Sequence, residues 1–236
     1  MKSITRPALL ASLICVCGLS MVAVAAAEPQ KPTAAADASK AKAKATSEPY
    51  PLATCPISGG KLGSMGDPIV KMYDGREVRF CCAKCPPKFE KELAADMAKL
   101  DEAIIKDQLA LYPIDTSIVT GKKLPEKPVD WVYNNRLIRL GADTEKAEFQ
   151  KDPAKYLGAL NAAVVAKQSK DYPLKACPVS NEELGGMGEA KDVVIGGRLV
   201  RLCCGKCEKD VRKNPAKFIA MVDDARAGKA AGGEKK

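Results

Sequence analysis

The segments YPLATCPISGGKLGSMG, YPIDTSIVTGKKL and YPLKACPVSNEELGGMG begin at Tyr50, Tyr112 and Tyr172, so one pattern returns after 62 and then 60 residues. Between the first and third copies the register holds without insertion. Cys55 and Cys177, Met65 and Met187, Arg76 and Arg198, Cys81 and Cys203, and Cys85 and Cys207 are each 122 apart. A fixed internal period means that the fold is an array of similar units, each too small to be read alone.

The middle copy keeps the frame and drops the sulfur. Aligned through Arg79, Arg139 and Arg201, it places Gly141, Ala142 and Glu145 where its neighbours carry Cys81, Cys82 and Cys85 and then Cys203, Cys204 and Cys207. Ser117 falls at the place of Cys55 and Cys177, and no methionine matches Met65 and Met187. One chain therefore contains its own control. Positions common to all three copies are expected to serve the fold, and positions common only to the outer two are expected to serve a site.

The common positions predict an α+β fold of three tandem hairpin-plus-helix repeats. IVKMYDGREVRF, VDWVYNNRLIRL and VVIGGRLVRL are pairs of β-prone runs around Asp74-Gly75, Asn134-Asn135 and Gly196-Gly197, dipeptides suited to positive φ. On each second strand Val78 and Phe80, Ile138 and Leu140, and Val200 and Leu202 share one face, with Arg79, Arg139 and Arg201 on the other. Extending that alternation puts Cys82 on the core side, where the middle copy has Ala142, and Cys81 on the opposite side. Helical periodicity follows: Phe89, Leu93, Met97, Leu100, Ile104 and Ile105 recur at three- and four-residue steps. Pro153 and Pro215 stand where a first helical turn tolerates proline. Units of about 60 residues are marginal for burying a core of their own, so the outer ones would gain from a bound ion. The middle one must rely on packing, with the chain's single tryptophan, Trp131, as its focus.

The ends are read separately. Lys2 and Arg6, an apolar run from about Ala8 to Val24 and small residues before Glu28 form a secretory leader, cleaved after Ala25 or Ala27. Lipid attachment at Cys15 or Cys17 is the weaker alternative, because Ile14 and Val16 are bulky. Residues 28–48 carry no large aliphatic or aromatic side chain and are expected to be a flexible linker. The expected organisation is leader 1–27, linker 28–48, cysteine-bearing repeat 49–110, cysteine-free repeat 111–170, cysteine-bearing repeat 171–224 and flexible tail 225–236. No other apolar run has the ~18 residues of a membrane span, so the mature chain is expected in the periplasm or outside the cell without a transmembrane segment. Losing Lys2 and Arg6 lowers the net charge of +9 by two. That modest excess in an exported protein argues for a solvated surface and against nucleic-acid recognition.

The chain has ten cysteines and no histidine, and eight of the cysteines follow the leader, grouped four and four. Three readings suit them. Soft-metal binding is favoured: cysteines three or four apart share a helical face, and Cys55 or Cys177 can close the site from the preceding loop. A sulfur-only ligand set suits zinc or copper(I), about one ion per cysteine-bearing repeat. The preferred triads are Cys55, Cys81 and Cys85, and Cys177, Cys203 and Cys207, with Cys82 and Cys204 as possible fourth ligands or buried thiols. Met65 and Met187 are possible additional thioether ligands, against the plainer reading of loop methionines packed under the hairpin. Arg79 and Lys84, with Arg201 and Lys206, can offset thiolate charge, although Arg139 in the cysteine-free copy points to a structural arginine. The second reading is a disulfide framework, which suits export. The third is a Cys82-x-x-Cys85 thiol-disulfide oxidoreductase, which no preceding βαβ pattern supports. Without histidine, acid-base or triad catalysis of the usual kind is excluded, and no enzymatic role is expected.

YDGREVRFCCAKCPPKFEKE and CPISGGKLGSMG resemble the TRASH and YHS type of small metal-binding module: one cysteine, a hairpin, then two cysteines spaced C-x3-C at a helix start. The resemblance covers about residues 50–100 and 172–222, and the middle copy more weakly. It implies a treble-clef-like fold associated with heavy-metal trafficking, resistance or sensing, often of copper, with Cys55, Cys81 and Cys85, and Cys177, Cys203 and Cys207, at the matching positions. The histidine of the YHS name is absent, the gap is long, and one cysteine is doubled.

Overall fold

The computed structural model of the chain describes residues 48–186 and 188–228. The leader, residues 28–47 of the linker, Met187 and the last eight residues of the tail lie outside the described residues. The architecture is mixed α and β, built on three two-stranded antiparallel hairpins. β1 (Ile69–Tyr73) pairs with β2 (Arg76–Phe80), β3 (Val129–Tyr133) with β4 (Arg136–Leu140), and β5 (Lys191–Ile195) with β6 (Arg198–Leu202). Both residues of every turn have positive φ: 48° and 80° at Asp74-Gly75, 45° and 68° at Asn134-Asn135, 55° and 76° at Gly196-Gly197. Turns of this kind match the natural twist of a hairpin, and Gly, Asn and Asp bear such angles with least strain. Val78, Phe80, Ile138, Leu140, Val200 and Leu202 are all fully buried, each pair in the core of its own unit.

Two helices follow each hairpin, where the periodicity after Phe89 suggested one. They are α1 (Cys85–Lys91) and α2 (Leu93–Leu109), α3 (Glu145–Lys151) and α4 (Pro153–Gln168), and α5 (Glu208–Lys213) and α6 (Pro215–Arg226). The breaks fall at Glu92, Asp152 and Asn214, whose backbones leave the helical region (ψ 41°, 72° and 64°). Pro153 and Pro215 disfavour the helical conformation in the residue before them, and the Asp152 carboxylate then caps α4 by accepting from the Lys155 amide. The break at Glu92 has the same place without a proline, and the continuous apolar spacing across it hid it. α6 also runs to Arg226, past the expected start of the tail at 225.

Helix ends lock onto the hairpins that come next in the chain. The Gln108 side chain at the end of α2 donates to the Asn135 carbonyl (2.8 Å) and accepts from the Leu137 amide (2.9 Å). Gln168 at the end of α4 does the same with Gly197 (2.8 Å) and Leu199 (2.9 Å). The first and third units also meet. Arg79 donates to the carbonyls of Lys213 (2.6 Å) and Arg212 (3.1 Å), and Arg198 forms ion pairs with Asp107 and Asp223, both at 2.7 Å.

Glu48, just ahead of the first unit, contacts the middle and third units, although the composition of residues 28–48 suggested a flexible linker to its end. Its carbonyl accepts from the Asn135 side chain (3.1 Å), its carboxylate accepts from the Gly196 amide (3.4 Å), and it pairs with the buried guanidinium of Arg136 at 3.8 Å. Burial raises the Glu48 pKa and lowers that of Arg136. Each charge is tolerable there because the other is present.

The cysteine-free middle unit has the most aromatic core. Trp131 packs edge-on against Tyr133 and Phe149 (centroids 5.4 and 5.5 Å), and Phe149 stacks on Tyr156 (5.5 Å). These contacts give it the packing that a small unit needs.

Candidate metal centres

Each site is assembled from a loop and a junction. In the first unit the loop closes by hydrogen bonds from the Cys55 amide to the Gly60 carbonyl and from the Gly59 amide to the Cys55 carbonyl, both 2.9 Å. Ser117 with Lys122 and Gly121 makes the same closure, as does Cys177 with Glu182 and Asn181. Gly59, Gly121 and Asn181 take positive φ at the tip. The loop therefore forms whether or not it carries sulfur. Beyond it, β2 ends at Phe80 and α1 starts at Cys85, while β6 ends at Leu202 and a 3-10 turn spans Gly205–Cys207.

These pieces bring two sulfur triads together. The Sγ atoms of Cys55, Cys81 and Cys85 all lie within 4.8 Å of one another, as do those of Cys177, Cys203 and Cys207, and all six side chains are buried. Cys81 and Cys85 are 3.8 Å apart, and so are Cys203 and Cys207. An ion bonded to two thiolates at 2.3 Å separates them by about 3.8 Å at a tetrahedral angle and about 4.0 Å at a trigonal one. Cys81 with Cys85, and Cys203 with Cys207, have this spacing, and both triads could hold a metal ion. No disulfide joins the eight cysteines among the described residues.

Cys82 and Cys204 are placed differently from expectation. Both are half-buried, while Cys81 and Cys203 are buried. The strand alternation stops at Phe80 and Leu202, so the side-to-side rule does not extend into the cysteine pair. Ala142, expected in the core, is exposed for the same reason. Cys82 Sγ lies 3.6 Å from Cys85 Sγ, at the edge of the triad.

Met65 is 70% exposed, so it does not pack under the hairpin; Met187 is outside the described residues. The arginines of the second strands are engaged elsewhere: Arg79 with Glu77 and the third unit, Arg139 with Asp130 (2.7 Å), and Arg201 with Asp192 (2.8 Å).

The hydroxyl three residues after the loop cysteine was missed from the sequence, though its spacing repeats. Ser58 Oγ is 3.2 Å from Cys81 Sγ, and Ser180 Oγ is 3.2 Å from Cys203 Sγ. Burial disfavours charge on Cys55, but hydrogen bonds from Ser58 Oγ and from the amides of Cys81, Ser58 and Ile57 outweigh it and bring the thiol down to about 7. Cys177 is brought to about 6 against the same burial, by the Cys203 amide and by the amide and hydroxyl of Ser180. Burial, with the neighbouring thiols, pushes Cys85 and Cys207 up to about 12. Three thiolates share a buried pocket only with a cation to balance their charge.

In the middle unit a carboxylate replaces the cluster. Glu145, at the position of Cys85, accepts from the hydroxyl of Ser117, at the position of Cys55. It also accepts from the Gly141 amide (3.2 Å) and the Thr120 hydroxyl (3.4 Å). Thr120 is the counterpart of Ser58 and Ser180. Hydrogen bonds thus do within this unit what an ion can do in the other two.

No family model, curated protein or solved structure matches the chain. Among the described residues, no helix is long and apolar enough to cross a membrane.

Proposed function

We propose that the chain is an exported, non-catalytic protein that binds soft metal, zinc or copper(I), at two thiolate sites and sequesters, buffers or delivers it. The observation that carries this is the convergence of two buried three-sulfur clusters, each drawn from a loop and a strand-to-helix junction far apart in sequence. The same six positions match the TRASH and YHS type of module, which supports a treble-clef-like reading of the units as copies of one metal-binding design. Cys55, Cys81 and Cys85, and Cys177, Cys203 and Cys207, are the ligands of this reading, with about one ion for each set. Exposed Met65 is not among them.

The leader-like start supports export, and the export compartment sets the chemical problem. Thiols outside the cytoplasm tend to pair, whereas a bound ion holds them as thiolates and withdraws them from oxidation. The test is native purification from the cell envelope, followed by elemental analysis and a count of free thiols under denaturation. Two ions per chain with eight titratable thiols is the expected result. Four disulfides and no metal would replace this reading with that of a disulfide-stabilised protein.

A further inference from the structure

We propose that Cys82 and Cys204 are the exchange ligands of the two sites: half-buried sulfurs that pass the ion between a thiol-bearing carrier and the buried triad. The inference rests on the metal-binding reading and names the chemistry of the partner. Three observations carry it. First, the six triad thiols are buried while Cys82 and Cys204 are only half-buried, so an incoming sulfur meets these two first. Second, Cys82 stands against its triad, with its Sγ 3.6 Å from Cys85 Sγ, and Cys204 occupies the matching position next to Cys203 in the third unit. Third, the middle unit keeps the same fold with an exposed alanine at this position, Ala142, so the frame does not require a sulfur there, although Cys82 and Cys204 pack partly against their own cores. A sulfur found only beside the triads, partly open to solvent and dispensable to the frame, belongs to the traffic of the ion.

The step is a ligand substitution without redox change. As the ion arrives on a carrier thiolate, its bond to Cys82 Sγ forms while the bond to the carrier sulfur breaks. The Cys82 proton leaves to the departing thiolate. As the ion moves inward its bonds to Cys55, Cys81 and Cys85 form, and the protons those thiols still carry pass to water. At a three-sulfur end point the bond to Cys82 breaks and Cys82 takes a proton back from water. Release reverses the sequence. The four-sulfur stage falls within the coordination range of zinc, and a three-sulfur end point suits copper(I).

The test uses the full chain loaded with zinc, and the variant Cys82→Ala, Cys204→Ala, whose alanines reproduce the residue the middle unit already carries. Zinc release to excess pyridylazoresorcinol is followed by absorbance, with and without glutathione. The parent chain is expected to release zinc faster when glutathione is present. The variant is expected to hold two ions at equilibrium but to release them about tenfold more slowly with glutathione, an effect of the size usual for groups adjoining a metal's ligands. Equal rates in parent and variant would overturn the proposal. So would loss of ions from the variant, which would make these cysteines equilibrium ligands. A parent chain that takes up no zinc, and no copper(I) in a parallel titration, would overturn the metal-binding reading itself.

Discussion

The outer units and the middle unit share a loop, a hairpin and a helix break, and they differ in what fills one pocket. In the first and third units the pocket holds three sulfurs. In the middle unit Ser117, Thr120 and the Gly141 amide surround the Glu145 carboxylate. The loop around Ser117 closes with the same pair of backbone hydrogen bonds as the loops around Cys55 and Cys177. The frame is therefore independent of sulfur. Cysteine in the outer units is free to serve chemistry, since the same geometry is held together without it.

The comparison breaks most completely if the sulfurs are removed and the ions stay. Replacing Cys55 and Cys177 with serine, the residue native to the middle unit at that place, is expected to reduce the bound ions from two to none. The far-ultraviolet circular dichroism of the chain should not change. The reverse graft sharpens the point: Ser117→Cys, Gly141→Cys and Glu145→Cys together are expected to add a third ion, read by elemental analysis after anaerobic loading. At Gly141 a new Cβ would lie 2.9 Å from the Glu145 carboxylate oxygen, a contact that the Glu145 replacement removes.

Stability should divide along the same line. At a free-metal concentration one hundred times the dissociation constant, each occupied site adds about 2.7 kcal/mol to the stability of whatever unfolds with it. Stripping the metal with a chelator is expected to speed amide hydrogen exchange in the outer units and to leave the middle unit's hairpin unaffected. The smallest expected effect is that of Glu145→Ala, which leaves the buried Ser117 hydroxyl without its acceptor. A loss of about 1–3 kcal/mol with the ion count unchanged is the expected result in a denaturant titration.

Much of this was legible in the sequence because it depends on local chemistry. The turn dipeptides dictated the hairpins, and the 122-residue register brought into consideration the six cysteines that the fold gathers into two triads. What could not be read depends on tertiary contact. The helix break at Glu92 has no proline to announce it. Cys82 was assigned to the core by an alternation that ends one residue before the cysteines begin. The links from Arg79 to the Lys213 and Arg212 carbonyls and from Arg198 to Asp107 span 91 to 134 residues, with no local pattern to mark them. Gln108 and Gln168 were visible in principle. Each stands four residues before the tyrosine that opens the next copy, and a buried amide at a repeated junction is a natural cap for the next hairpin turn.

X-ray absorption at the metal edge, on the reduced chain loaded anaerobically with zinc or copper(I), tests the central claim most directly. A first shell of three or four sulfur scatterers at about 2.3 Å, with two ions per chain, is the result the account predicts. A shell of oxygen or nitrogen alone, or a chain that takes up no ion while its thiols are free, would contradict it.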